Sequence, residues 1–252
     1  MNDLNGPVLS MLDEHGVRTI ALNRPARLNA MNRSLIDAVG EAFNHANSDD
    51  ETRAIIFTGR GRAFCAGDDR HEHVHPDDEA QARDAVEAIQ RATRAILFGD
   101  KPVVGAINGW AVGGGFEWAI NCDFPIWAES ATGFFPEVSL NLFVTGAVTS
   151  LLPELVGLNT AREMLMLGER YPAKKLLELG VAWRVMPDEK LLDEAHHVAR
   201  KLAGLPPRSV RSMKRVLNKN ALTGIENALR RETEATVAGF MDPVTTQLLQ
   251  DF

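Results

Sequence analysis

Cysteine is nearly missing from this sequence of 252 residues, where Cys65 and Cys122 are the only two. Two thiols are too few for a disulfide framework, which excludes a small secreted scaffold and leaves both as reduced core or turn residues. An excess of basic charge is missing as well. Lys and Arg number 27 against 34 Asp and Glu, a net charge of -7, which argues against nucleic acid or an anionic membrane surface as the main partner. No apolar run approaches the length of a bilayer span. Met1 to Pro7 is polar and lacks the basic-then-apolar pattern of a secretory leader. The expectation is a cytoplasmic protein that handles small molecules.

What is present is enough apolar material, 45% of residues, to bury a sizeable core. Val8 to Leu12 and Val17 to Leu22, separated by Asp13-Glu14-His15-Gly16, predict a β-hairpin. Leu35, Ala38, Val39, Ala42 and Phe43 line one helical face, with Asn32 or Ser34 available as cap. Ala54 to Thr58 reads as a short buried strand, followed by a glycine-bearing turn from Gly61 to Asp69. A polar connector, Asp77 to Arg83, leads into a helix with Val86, Ile89, Ile96 and Leu97 on its apolar side. Val103 to Ile107 and Phe124 to Ala128 read as further strands, each followed by another turn. From Thr160 helices dominate, at 161–167, 173–179 and 190–205, with a short strand from Val181 to Val185 and two or three helices beyond Pro206-Pro207. Strand, turn and helix recur with irregular spacing, which is a repeating architecture and not a sequence repeat. The fold class expected is α/β, with a core over residues 1–189 and a helical C-terminal region over 190–252.

The stretch from Asn108 to Asp123 organises the rest. Its three consecutive glycines, Gly113 to Gly115, follow an apolar strand and precede an apolar helical segment. Glycine admits conformations closed to other residues and lets a ligand approach the bare backbone. The amides at a helix start have no internal partner, and the helix dipole favours negative charge there. Such a turn is suited to an oxyanion, and Glu117 places a carboxylate one turn further in. A dinucleotide fingerprint would require glycine where Trp118 stands, and no Gly-Lys-Ser/Thr follows, so both common phosphate-binding loops are set aside. The plainer alternative is a packing turn followed by a solvated glutamate.

Leu22-Asn23-Arg24-Pro25, Phe64-Cys65-Ala66-Gly67-Asp68-Asp69, the block from Asn108 to Asp123 and Pro136-Glu137 together resemble the enoyl-CoA hydratase/isomerase, or crotonase, superfamily. The resemblance runs over most of the chain and is strongest from residue 17 to 137. It implies a spiral of repeated ββα units with a helical C-terminal trimerisation region, a homotrimer or dimer of trimers, and an acyl-CoA substrate with no further cofactor. It also implies an oxyanion hole made by the backbone N–H groups of Asp68 and Gly114. A thioester carbonyl that becomes an enolate needs donors placed where its charge develops. The Asp68 carboxylate, if turned inward, would repel that charge, so it is expected to point away or to be paired.

The family's two acid/base glutamates fall on Glu117 and Glu137, which would titrate as a coupled pair. One carboxylate takes a proton from water adding at C3 while the other supplies the proton to C2, so having both favours hydration over double-bond isomerisation. The alternatives are isomerisation, or another reaction of this superfamily on a cyclic or aromatic acyl-CoA. From a different class, a protein that binds acyl-CoA without turning it over also remains open. For CoA, the resemblance points to the backbone around Leu28, Asn29 and Ala30, to Ala66, Gly67 and Gly113, and to Arg24 or Arg27 near the phosphates.

Two departures from the family pattern stand out. Leu142 to Thr149 replaces a Pro-Gly-x-Gly-Gly-Thr segment that borders the acyl pocket, so a bulkier or drier pocket is expected. A C-terminal lysine that often reaches CoA has no counterpart before Phe252. His71-Glu72-His73-Val74-His75 would put three imidazoles on one face if it were a strand. The resemblance instead places it in a variable loop at the pocket mouth, and no metal is expected.

Overall fold

The structure is a computed structural model and describes residues 6–221 and 224–251. Strands β1 (Val8–Leu12) and β2 (Val17–Leu22) form the antiparallel hairpin, with Val8 opposite Leu22. Asp13 closes its turn, one carboxylate oxygen accepting from the N–H groups of His15 and Val17 at 2.9 Å. Helix α1 (Arg33–Ser48) follows. Asn32 is its cap, accepting from the Leu35 N–H at 2.9 Å, as the short polar side chains at such positions do.

The chain then repeats one pattern three times: a strand, a short strand in a different sheet, and a helix. The first unit is β3 (Ala54–Gly59), β4 (Ala63–Cys65) and α2 (Glu79–Leu97); the second is β5 (Val103–Ile107), β6 (Trp110–Val112) and α3 (Gly114–Ile120). The third is β7 (Phe124–Ala128), β8 (Thr132–Phe134), a single 3-10 turn over Glu137–Leu140, and α4 (Val148–Val156). Next come α5 (Leu158–Leu167), β9 (Tyr171–Pro172), α6 (Ala173–Glu178), β10 (Arg184–Met186), α7 (Leu191–Ala203), α8 (Pro207–Ala221), α9 (Ile225–Met241) and α10 (Pro243–Asp251). One sheet runs β1-β2-β3-β5-β7-β10 and the other β4-β6-β8-β9. The expected ββα repetition is therefore present.

The interior strands of the larger sheet pair in parallel and are covered on both faces, which is why β3 and β5 are buried end to end. Helix α7, from the C-terminal region, packs across β2, β3, β5 and β7. Between the sheets sits an aromatic cluster. Phe57 meets Phe43 and Phe64 edge-on with centroids 5.0 and 5.1 Å apart, and Phe116 meets Trp127 edge-on at 5.6 Å. Edge-to-face pairs of this kind add to the burial of their area. Phe116 and Trp118, both fully buried, flank Glu117 and hold its helix in place.

Four readings from sequence change. β4, β6 and β8 lie inside segments read as turns, since three residues are too few to display alternation. α2 begins within the polar connector, because Asp78 caps it by accepting from Gln81 N–H at 2.8 Å. α4 was not expected, and carries Pro153 within it. The strand expected at Val181 to Val185 lies at Arg184–Met186, paired in parallel with β7. Phe252 lies outside the described residues.

Candidate active site

β4 and β6 are parallel neighbours, Ala63 opposite Trp110 and Cys65 opposite Ala111, so the turns that leave them run side by side. Gly67 has φ +82° and Gly113 φ +51°, a region that side chains disfavour strongly. The contact between the turns also requires glycine. A β-carbon on Gly67 would stand 2.9 Å from the Val112 carbonyl oxygen, and one on Gly115 would strike the Cys65 carbonyl oxygen. The N–H groups of Asp68 and Gly114 follow these two glycines. Neither donates to a backbone acceptor in the turns, and Gly114 opens α3, where no intrahelical acceptor exists.

A cavity of about 420 Å³ gathers most of the expected site. Arg27, Leu28, Ala30, Ala66, Gly67, Asp68, Gly113, Gly114, Glu117 and Glu137 all line it. Arg24 does not. Its guanidinium is held by Asp69 at 2.8 Å, by Glu72 at 2.6 Å and by the Ala30 carbonyl, so of the two arginines expected near the phosphates only Arg27 lines the cavity. Arg62 and Arg70 line the cavity beside Arg27, and none of the three forms an ion pair or side-chain hydrogen bond among the described residues. The Asp68 carboxylate is partly exposed and lies 3.3 Å from His73 Nδ1. It is a paired group.

The loop from Leu28 to Ala30 is braced by Asn29, which is fully buried at φ +56°. Its amide donates to the carbonyls of Arg60 at 3.0 Å and Ala63 at 2.9 Å, and its oxygen accepts from Arg24 N–H at 2.8 Å. Asn29→Ala removes all three bonds and puts alanine in a left-handed conformation that asparagine tolerates better. A loss of about 3 kcal/mol in stability is expected, read as a lower denaturation midpoint at unchanged slope.

Glu117 is 1% exposed. Thr145 donates to it twice, N–H to Oε1 at 2.7 Å and Oγ1 to Oε2 at 2.6 Å. Burial outweighs these bonds and pushes its carboxyl up to about 7. Glu137 is 8% exposed, and its Oε2 has no partner. Burial, then the charge of Glu117, hold its carboxyl well above the ordinary carboxylate range. Neighbouring glycines make room for both. A β-carbon on Gly113 would sit 2.5 Å from Glu137 Oε1, and one on Gly146 would sit 2.7 Å from Glu117 Cβ.

Three contributors escape sequence reading. Thr145 comes from the departed segment, where Leu142 and Phe143 also wall the cavity with bulk. Glu232, fully buried on α9, accepts from the N–H groups of Ala147 and Thr149 at 2.9 Å each and from Thr149 Oγ1 at 2.6 Å. Gln90 Oε1 accepts from Gly146 N–H at 3.3 Å. The available signal was periodicity, since Glu232 shares a helical face with Leu229 and Thr236, both buried.

The histidine stretch forms no strand. His71 lines the cavity, His73 meets Asp68, and His75 Nδ1 lies 3.0 Å from Thr246 Oγ1. Among the described residues no group of three His, Cys, Asp or Glu is placed to hold a metal ion, and no helix is long and apolar enough to cross a membrane.

The sequence model of the family described as enoyl-CoA hydratase/isomerase matches residues 13–247. A 1,2-epoxyphenylacetyl-CoA isomerase of Escherichia coli K12 is 33% identical over 88% of this chain and 86% of its own. A short-chain-enoyl-CoA hydratase of Clostridium acetobutylicum is 30% identical over 92% of this chain and 88% of its own. Among solved structures, an enoyl-CoA hydratase/isomerase from Mycobacterium paratuberculosis superposes with a TM-score of 0.91 at 28% identity, covering 99% of this chain and 100% of that one.

Proposed function

The chain belongs to the enoyl-CoA hydratase/isomerase family, and on that premise we propose that it adds water across the C2=C3 bond of a 2-enoyl-CoA thioester. One observation carries this reading: two buried carboxylates with raised proton affinity share a cavity with two free amides at glycine turns. The thioester oxygen accepts from the N–H groups of Asp68 and Gly114, which take up the enolate charge as it develops. Glu117, poised near neutrality, removes a proton from the water adding at C3. Glu137, held protonated, delivers its proton to C2, and exchange between the two carboxyls and solvent restores the starting state.

Arg27, Arg62 and Arg70 hold the CoA phosphates, while backbone from Leu28 to Ala30 and at Ala66 receives the adenine and pantetheine. No group other than the CoA thioester is required. The enzyme works in the cytoplasm as a homotrimer or dimer of trimers; exposed Met166 and Leu167 on α5, and Met213, Val216 and Leu217 on α8, supply apolar surface for subunit contact.

Loss of the conjugated enoyl-thioester absorbance is the expected result when the protein meets crotonyl-CoA, with 3-hydroxybutanoyl-CoA as product. Binding without that loss would overturn hydration. A second reading has its own support, because both Glu117 oxygens already accept from Thr145 while Glu137 Oε2 is free. A single carboxyl suffices to carry a proton from C2 to C4 in double-bond isomerisation, and gain of absorbance from a 3-enoyl-CoA would identify that case.

A further inference from the structure

The segment from Thr145 to Thr149 is held from outside itself. Its N–H groups donate to side chains of other helices: Thr145 to Glu117 at 2.7 Å, Gly146 to Gln90 at 3.3 Å, and Ala147 and Thr149 to Glu232 at 2.9 Å each. Val148 alone stays local, donating to the Thr145 carbonyl at 3.2 Å. Nothing within the segment favours this path. Gly146 and Ala147 have φ +68° and +59°, a conformation that alanine disfavours. Ala147 is also the N-cap of α4 and supplies no side-chain cap. The unpaired amides of that helix start go instead to Glu232, which reaches across from α9. A carboxylate suits the place, since the helix dipole favours negative charge there.

We propose that Glu232 is a positioning residue for Glu117: by holding the amides of Ala147 and Thr149, it keeps Thr145 aimed at the catalytic carboxyl. The proposal rests on the hydration reading for its kinetic consequence alone, and the contacts through which it acts are the same whatever the reaction.

Glu232 is fully buried and lies outside the cavity lining, so it acts on no substrate directly. Its Oε1 accepts from the Thr149 N–H and Oγ1, and its Oε2 from the Ala147 N–H. Both oxygens are therefore acceptors. Glu232→Gln leaves one acceptor oxygen and turns an NH2 group toward an N–H. Two buried donors face to face are unsatisfied and unfavourable, so the start of α4 has to shift. The bond from Val148 N–H to the Thr145 carbonyl closes Thr145 and Ala147 into one turn, which passes the shift to Thr145. Thr145 grips both oxygens of Glu117. Gln90 supports the same arrangement, its amide donating to the Leu229 carbonyl of α9 at 3.2 Å while its oxygen receives Gly146.

The test reads the Thr145 amide by NMR in the isotope-labelled protein. In the parent its resonance is expected to move as Glu117 titrates near pH 7, because the N–H donates directly to Oε1. In Glu232→Gln most of the amplitude of that movement is expected to be lost, whatever its midpoint. Thr149→Val removes one bond to Glu232 and is expected to lose part of it, so the result does not hang on the folding of one variant. With crotonyl-CoA, Glu232→Gln is expected to lower kcat about tenfold to a hundredfold, with KM near the parental value. In a Glu117→Gln background the same substitution should cost little more, since the group that it positions is already silent. A purely structural Glu232 would leave the Thr145 movement intact and add its loss in full to that of Glu117→Gln. Either result would overturn the proposal. A Thr145 movement lost in Glu232→Gln, beside a parent that hydrates no enoyl-CoA, would sink the hydratase reading and leave this one standing. Hydration by the parent with the movement intact in the variant would do the reverse.

Discussion

Replacing Glu137 by glutamine is expected to lower kcat/KM for crotonyl-CoA by about a hundredfold to ten-thousandfold, and Glu117→Gln by a similar factor. Glutamine keeps the shape of the side chain and removes the titrating proton. In Glu117→Gln the Thr145 N–H still donates to the amide oxygen, while Thr145 Oγ1 turns from donor to acceptor, so the segment stays in place and the loss falls on chemistry. Glu137→Gln has no proton to deliver to C2. The double variant is expected to lose far less than the product of the two single losses, since groups that act as a unit are not additive. Acyl-CoA affinity, measured by calorimetry, should stay near the parental value throughout. Parental activity in Glu117→Gln beside an inactive Glu137→Gln would transfer the assignment to isomerisation.

The second large effect is on stability. Glu117 has a folded-state value of about 7 against an ordinary value of 4.5. Below 4.5 its carboxyl is neutral in both states, and the fold suffers nothing from burying it. Between 4.5 and about 7 the unfolded chain ionises while the folded one keeps its proton, so the unfolded state gains and stability falls as pH rises. Above that window both are ionised and the loss is complete. It amounts to about 3 kcal/mol. Glu117→Gln has no such dependence at this position, so denaturation of parent and variant should show their difference growing across the window and levelling beyond it. A difference that is flat with pH would contradict a buried, raised Glu117. The same ionisation supplies the base, so hydration should speed up over the pH range in which the parent loses stability.

How much of this was legible in the sequence depends on the reach of each contact. The hairpin, α1 with its Asn32 cap and the strands β3, β5 and β7 follow from neighbours within a few residues. The glycine turns were legible for a different reason: Gly67 and Gly113 have no permissible substitute in the conformations they adopt. The pairing of Arg24 was not legible because its partners, Asp69 and Glu72, lie far along the chain, and nothing local separates a paired arginine from an unpaired one. Thr145, Gln90 and Glu232 were invisible on the same ground. Each acts across a long separation, on a loop whose family pattern is lost. The short strands β4, β6 and β8 owe their existence to one another and not to any pattern within them.

Glu232 does not line the cavity, yet its oxygens hold the start of α4 directly after Thr145, the residue that donates twice to Glu117. On the same helix, Thr236 and Phe240 do line the cavity. The loop that seats Glu117 and one wall of the cavity are thus supported from different turns of α9. Either can change by mutation while the other is kept, so the setting of the buried carboxylate and the shape of the cavity can vary separately within one helix.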